Sequence, residues 1–239
     1  MPKSRLDQAL VQRGLVTTRS QAESYVKLGK VTVNGRVETK AGTMVGEVAV
    51  LKLTATEQYV SRAGLKLASI AQVLKLDFRD KTVLDVGSST GGFTDYALQH
   101  GARKVFAVEV GSNQLHPSLQ GDPRIELHEK TDIRNFKTTE NIDIVVADVS
   151  FISLRELLPS ILQQITPATQ LALMVKPQFE AGASNLKHKG VIKNDKIRRQ
   201  ILKDFEDWAL HSFSIIDKAD SEVAGAKGNR ERFYLLRKL

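Results

Sequence analysis

Ionisable residues stand where several apolar runs of this sequence stop. Asp148 and Lys176 each follow such a run directly, and Glu231 begins the last one. In a doubly wound sheet the ligand crevice lies outside the carboxyl ends of the strands, so these side chains are expected to converge there with Asp85. A polar residue at one strand end is ordinary, but a lysine placed between five apolar residues and a proline is less usual.

Removal of a proton from a hydroxyl group is the chemistry that suits such a lysine. Burial disfavours the charged form of a lysine, and a second cation nearby has the same effect. Lys66, in the first turn of a predicted helix among apolar neighbours, is the candidate for that second cation. A neutral Lys176 would accept the proton of a ribose hydroxyl while its oxygen attacks a methyl group. Asp148 and Glu231 would orient the lysines and balance charge.

The stretch 81–93 predicts a buried strand, a glycine turn and a helix, which together form the first unit of a nucleotide-binding domain. Its glycine spacing does not match the G-x-G-x-x-G pattern that binds a pyrophosphate. Asp85 would repel a pyrophosphate but suits a cation, such as the ammonium and sulfonium of S-adenosylmethionine. Glu109 ends the next apolar run, where an acid can accept ribose hydroxyls. A plain strand-turn-helix with solvated acids is the alternative, which the two acids together disfavour.

Strands alternate with helices beyond residue 80. This rhythm predicts an α/β fold, a doubly wound, mostly parallel seven-stranded sheet with helices on both faces. We expect strands at 82–86, 105–109, 124–128, 142–147, 171–175, 213–217 and 232–237. We expect helices at 64–76, 92–100, 154–165 and 195–211, with a shorter helical piece near 114–119. A glycine-containing loop over 225–229 predicts an antiparallel hairpin at the sheet edge.

A small α+β unit is predicted at residues 1–53, followed by a polar linker at 54–62 and the larger domain at 63–239. The small unit should contain two helices, the second opening with a Thr18-x-x-Gln21 capping box. A hairpin with an Asn-Gly turn follows, and a further strand is expected over Val45–Leu53.

Composition narrows the possible functions. The chain has 239 residues, a net charge of +8 and an isoelectric point near 9.6. Half of the excess charge lies within residues 1–50, which hold eight basic and four acidic residues. This favours a polyanionic partner such as nucleic acid. The chain has no cysteine, and its five histidines lack zinc-ligand spacing, so no metal is expected. No apolar run suggests a membrane span or signal peptide, which predicts a cytoplasmic protein.

The N-terminal unit resembles the S-four-type RNA-binding domain, named after a ribosomal small-subunit protein. The resemblance rests on Arg5-Leu6-Asp7-x-x-Leu10, Arg19-Ser20-x-Ala22 and Gly29-Lys30-Val31-x-Val33-Asn34-Gly35. It implies a basic surface for structured RNA, for which the candidates are Arg5, Arg19, Lys27, Lys30 and Arg36.

The larger domain resembles the FtsJ-type ribose 2′-O-methyltransferases, whose site is a Lys-Asp-Lys-Glu tetrad. The tetrad falls within Ser61-Arg62-Ala63-Gly64-Leu65-Lys66, Ala147-Asp148-Val149-Ser150, Val175-Lys176-Pro177-Gln178 and Gly228-Asn229-Arg230-Glu231. The fusion of both domains resembles the TlyA family, which implies methylation of cytidine ribose in ribosomal RNA or ribosomal subunits, with S-adenosylmethionine as methyl donor. The cofactor residues implied are Asp85, Gly87, Ser88, Ser89, Thr90, Gly91, Gly92, Phe93, Glu109, Val110, Asp132 and Asp148.

The sequence departs from the family pattern at three places. Glu109 replaces the usual aspartate, Ser112-Asn113 replaces an aromatic-glycine pair, and Glu222 introduces an acid that competes with Glu231. Three other functions remain open: an RNA-binding or ribosome-assembly factor without turnover, a haemolysin as family members are often named, and a nicotinamide dehydrogenase. The tetrad argues against the first, the lack of a convincing membrane segment against the second, and the glycine spacing against the third.

Overall fold

The computed structural model of the protein describes residues 3–56, 58–181, 190–192, 194–225 and 228–239. The N-terminal part contains short strands and two helices. They are β1 (Lys3–Arg5), α1 (Leu6–Gln12), α2 (Arg19–Lys27), β2 (Val31–Val33), β3 (Arg36–Val37), β4 (Met44–Gly46) and β5 (Leu51–Leu53). The predicted capping box is present, because Thr18 accepts from the Gln21 amide and the Gln21 side chain accepts from the Thr18 amide.

The prediction of a single strand over Val45–Leu53 is wrong, because this stretch contributes to two strands in different sheets. β4 pairs antiparallel with β1, whereas β5 joins the β2–β3 hairpin. Between them the chain turns, closed by a hydrogen bond from the Ala49 amide to the Gly46 carbonyl. β1 itself was not predicted, since three residues gain strand geometry only through a partner about 40 positions away.

The larger part alternates strands and helices. Its elements are α3 (Arg62–Ala71), β6 (Thr82–Val86), α4 (Gly92–Gln99), β7 (Lys104–Val108), β8 (Ile125–His128), β9 (Ile144–Ala147), α5 (Leu154–Leu162), β10 (Gln170–Val175), α6 (Pro177–Glu180), α7 (Asp195–Ala209), β11 (Phe213–Asp220) and β12 (Arg232–Lys238). A 3₁₀ turn at Pro117–Leu119 lies within the predicted helical piece.

The described strands of this part form one sheet in the order β11-β12-β10-β9-β6-β7-β8. The pairs from β10 to β8 are parallel, and β12 runs antiparallel to β10 and to β11. The predicted α/β fold with a mostly parallel seven-stranded sheet is therefore confirmed. The predicted hairpin stands at the edge, with β12 as its inner strand; residues 226–227 of its connection lie outside the described part.

The predicted helix over 64–76 is too long at its C-terminal end. α3 stops at Ala71, and Lys75 takes a left-handed backbone conformation with φ of 52°. The Leu76 amide then bonds to the Ala71 carbonyl, which closes the helix as a C-terminal cap. The short α6 was not predicted, although Pro177 at its first position is favourable there.

Alternate side chains of the central strands fill a core on each face of the sheet. Val83 and Val105 face one core, and Leu84 and Phe106 face the other. The first core continues into the N-terminal part through Tyr59, which is 4% exposed although it lies in the predicted linker. Residue 57 of that linker lies outside the described residues, and the predicted boundaries at 53 and 62 remain a prediction.

Segment 58–60 ties the two parts together by specific contacts. The Gln21 side chain donates to the Tyr59 carbonyl at 2.6 Å, and the Val60 amide donates to Asp95 of α4 at 2.8 Å. The Tyr59 and Tyr96 rings lie 5.4 Å apart between centroids. The junction is thus packed on both sides.

Candidate active site

A cleft lies outside the carboxyl ends of the parallel strands, as the doubly wound topology requires. Two adjoining cavities of about 610 and 450 Å³ form it. All four tetrad candidates line the larger cavity, together with Asp85. The structure therefore brings these side chains together at one edge of the sheet, as the sequence predicts.

The tetrad forms two lysine–carboxylate pairs. Lys66 Nζ lies 2.5 Å from Glu231 Oε2, and Lys176 Nζ lies 2.5 Å from Asp148 Oδ1. Lys176 also donates to the Ser150 hydroxyl at 2.7 Å. Both lysines and Glu231 are less than a tenth exposed, so each charge is balanced within the protein rather than by solvent.

Glu231, and not the competing Glu222, is the acid beside Lys66. Glu222 is exposed, and its backbone amide faces the Ser69 hydroxyl at 3.4 Å. Glu231 reaches the cleft because it precedes β12, an inner strand of the sheet.

A turn rich in left-handed residues follows β6 and forms the floor of the cleft. Gly87 has φ of 78°, and an added Cβ would come within 3.1 Å of the Asp148 carbonyl oxygen. Gly91 has φ of 86°, and a Cβ there would meet the Leu115 and Leu119 side chains within 2.8 Å. Glycine is therefore favoured at both positions by the left-handed backbone and by the close packing of the turn against the rest of the protein.

Asp85 has a free acceptor in this floor. Its Oδ2 accepts from the Thr94 hydroxyl at 2.7 Å, whereas Oδ1 has no hydrogen-bond partner and neither does the buried Ser88 hydroxyl. Burial raises the pKa of the Asp85 carboxyl to about 7, and the nearby Asp148 and Glu109 charges act in the same direction. A ligand that brings positive charge and a donor satisfies both orphaned groups, and this fits the ammonium end of S-adenosylmethionine.

Glu109 is held in place by backbone amides. Its Oε2 accepts from the Ser89 amide at 2.9 Å and its Oε1 from the Gly111 amide at 2.7 Å. The carboxylate lines the second cavity, with remaining lone pairs for ribose hydroxyls. Val110 and Asp132 line the same cavity, and the Arg134 guanidinium holds the pKa of the Asp132 carboxyl below its usual range. In the Ser112-Asn113 pair, Asn113 has a left-handed backbone conformation with φ of 54°.

Sequence reasoning missed two aromatic residues at the mouth of the cleft. Phe151 is 93% exposed, has φ of 66° and lines both cavities. Its ring lies 5.2 Å from that of Phe179, which lines the larger cavity. Their position in the sequence could have indicated them, because each aromatic residue lies three residues after a tetrad residue. Exposure, which separates such a ring from a core residue, is not visible in the sequence.

Glu180 joins the two loops that carry Asp148 and Lys176. Its carboxylate accepts from the Ser153 hydroxyl at 2.6 Å and the Leu154 amide at 2.8 Å, at the start of α5. Burial raises the pKa of the Glu180 carboxyl. These two hydrogen bonds fix the β9–α5 loop against α6.

The basic candidates of the N-terminal part fall into two groups. Arg5 and Arg19 both contact the fully buried Asp7, at 2.8 and 2.9 Å. The Arg5 hydrogen bond, with help from Arg19, lowers the pKa of the Asp7 carboxyl to about 2. Lys27, Lys30 and Arg36 are exposed, and no ion pair is found for them in the described part of the chain. Two arginines are therefore oriented by a buried acid, and three cations extend into solvent.

The described ranges contain no cluster of three or more side chains that could hold a metal ion. Each helix in these ranges is too short or too polar to cross a membrane.

Comparison with known proteins gives two family matches. Residues 59–238 match the FtsJ-like methyltransferase family, and residues 4–50 match the S4 domain. A 16S/23S rRNA (cytidine-2′-O)-methyltransferase TlyA from Mycobacterium tuberculosis is 34% identical over 98% of this chain and 90% of the relative. Hemolysin A from Brachyspira hyodysenteriae is 35% identical over 95% of this chain and 97% of the relative.

Solved structures agree in fold. A Streptococcus thermophilus protein, provisionally described as a hemolysin, superposes with a TM-score of 0.73 at 37% identity. The match covers 100% of this chain and 89% of that one. An S-adenosylmethionine-dependent methyltransferase structure from Listeria monocytogenes, at 14% identity and a TM-score of 0.55 over 74% of this chain and 98% of that one, shares the fold of the larger part.

Proposed function

Because this chain belongs to the FtsJ-like methyltransferase family and carries an S4 domain, we propose that it methylates ribose 2′-hydroxyls of cytidine in ribosomal RNA. The cofactor is S-adenosylmethionine, which supplies an activated methyl group on a sulfonium. The observation that carries the proposal is the juxtaposition, in one cleft, of two lysine–carboxylate pairs with Asp85, a buried acid that has one oxygen without a partner. The relatives named as cytidine-2′-O-methyltransferases support the choice of substrate.

Lys176 is proposed to accept the hydroxyl proton. S-adenosylmethionine bound beside Asp85 would supply the methyl group to the 2′-oxygen and keep its sulfur as a neutral thioether. The hydroxyl proton would move to Lys176 Nζ, which must enter the step as a neutral amine. Asp148, 2.5 Å away, balances the ammonium that forms. Lys66 and Glu231, which line the same cavity, would position the ribose. Positioning supplies much of the rate because the methyl group is already activated.

The two ends of the cleft would bind the two reactants. Asp85 and Ser88 would take the amino-acid end of the cofactor, and Glu109 its ribose. Phe151 offers an exposed face on which a base of the RNA can stack. Arg5, Arg19, Lys27, Lys30 and Arg36 would contact RNA phosphates, which fix position without reading sequence.

The test maps 2′-O-methylation on ribosomal subunits treated with wild-type protein, Lys176→Met or Lys203→Met. Lys203 is the matched control, a lysine 2.7 Å from Asp207 on the exposed side of α7. Lys176→Met should lower the methylation rate by about 100- to 10,000-fold while cofactor affinity stays within threefold. Lys203→Met should behave as wild type.

Two results would contradict parts of the proposal. Undiminished transfer by Lys176→Met would remove this lysine as proton acceptor. Cofactor binding by wild type without methylation of either subunit would favour an RNA-binding protein that does not turn over.

A further inference from the structure

Buried polar atoms without a hydrogen-bond partner mark places where a ligand is expected. Three such atoms belong to residues lining the larger cavity and make no ion pair: Asp85 Oδ1, Ser88 Oγ and Gln178 Oε1. The first lies near the end of β6 and the second in the turn after it, both proposed for the cofactor. Gln178 lies outside that region, in α6 after β10, and is not among the residues proposed to contact the cofactor.

The position of Gln178 points to the acceptor side. It follows Lys176 by two residues, in the first turn of α6, and precedes Phe179. It lines the larger cavity with both of them but does not line the second cavity, which holds Glu109 and Asp132. Its amide is therefore away from the cavity proposed for the adenosine and close in sequence to the proposed proton acceptor, where the methylated nucleotide would lie.

An orphaned amide alone does not make a site, as Gln164 shows. Both polar atoms of Gln164 are buried without a partner, beyond the C-terminal end of α5. The cleft lies at the opposite end of this helix. Gln178 differs from Gln164 because it lines the larger cavity and lies, in the sequence, between the proposed proton acceptor Lys176 and the aromatic Phe179.

We propose that Gln178 reads the edge of the base whose ribose is methylated. This inference rests on the proposed function and assigns its base selectivity to one side chain. A carboxamide presents one acceptor beside one donor. Cytosine presents the complementary pair, an exocyclic amine beside the ring nitrogen N3. Uracil presents the reverse order, so selectivity requires Oε1 to keep the buried position in which it has no partner. The cost of leaving Oε1 buried and unpaired is relieved when the amine donates to it.

The experiment compares cytidine with uridine at the methylated position. The position is first mapped with wild-type protein, and ribosomal subunits are then prepared that carry uridine there. Rates of methyl transfer are measured on both substrates for wild type, Gln178→Met and the control Gln164→Met. Methionine keeps the length of glutamine without its polar groups.

Wild type and Gln164→Met should prefer cytidine by about 10- to 100-fold. For Gln178→Met the preference should fall below about threefold, mainly through a slower rate on cytidine, with cofactor affinity unchanged. A preference that survives in Gln178→Met would overturn the inference while leaving the proposed function intact. So would a wild type that methylates cytidine and uridine equally. Absence of methylation by wild type on any subunit would overturn the proposed function, and this inference with it.

Discussion

The two ends of the cleft carry similar numbers of carboxylates but balance them differently. At the acceptor end, Asp148 and Glu231 each contact a lysine at 2.5 Å. At the cofactor end, Asp85 and Glu109 make no ion pair within the described residues; a hydroxyl and backbone amides hold them instead. The acceptor end is thus balanced by its own lysines, whereas Asp85 and Glu109 leave the proposed cofactor end to be completed by a cation. The same residue type is an internal counter-charge in one place and a proposed ligand in the other.

The largest effect is expected from breaking a complete pair. Lys66→Met leaves Glu231 buried and unpaired, which should lower the free energy of unfolding by about 3 to 5 kcal/mol. The double variant Lys66→Met/Glu231→Gln should recover most of this loss, because no charge is left unpaired, yet stay inactive. Urea unfolding followed by circular dichroism measures both. A single variant as stable as wild type would contradict the internal balance of this end.

A smaller effect on stability, and one on binding, is expected at the cofactor end. Asp85→Asn removes a carboxylate that has no cationic partner, so the free energy of unfolding should change by less than about 1 kcal/mol. Affinity for S-adenosylmethionine should fall about 10- to 100-fold, the range for a hydrogen bond to a charged group. Calorimetric titration tests this, with Asp204→Asn on the exposed face of α7 as the control. An undiminished affinity would show that this end is not completed by the cofactor's charge.

The smallest effect is a dependence on pH. With a pKa of about 7, the Asp85 carboxyl of the free protein is mostly neutral at pH 6 and mostly ionised at pH 8. Because the ligand is cationic, affinity should rise with pH. The rise should be roughly fourfold between these values, since the ammonium of the ligand begins to lose its own proton near pH 8. Asp85→Asn should show no such rise. Titrations at both pH values and equal ionic strength measure it, and an equal slope in the two proteins would assign the titration to another group.

Much of the cleft was predictable because it depends on local sequence and on topology. The run from Val83 to Phe93 specifies strand, turn and helix within 11 residues, and parallel strands bring their carboxyl ends together. The convergence of Lys176 and Asp148 follows from β9 and β10 being neighbours. Asp85 shows the same advantage, since a buried acid before a glycine turn is visible in the sequence itself.

The unpredicted features depend on contacts between distant residues. β1 needs β4, and Glu180 caps a helix that begins 26 residues earlier. Phe151 and Tyr59 are two aromatic residues whose exposure the sequence does not predict. Phe151, in the loop after β9, is 93% exposed, whereas Tyr59, in the predicted polar linker, is 4% exposed. Neither environment is encoded by neighbouring residues, because each is created by the surface that tertiary packing brings to the ring.

The packing of Tyr59 sets where this chain can be recombined with another. An exchange of RNA-binding modules among relatives at residue 62 would remove the ring that covers Tyr96, together with the Val60 amide that bonds to Asp95. An exchange at residue 54 would retain these contacts and lose only those from the N-terminal side, such as Gln21. In any such exchange, segment 58–60 should therefore be kept with the catalytic half of the protein.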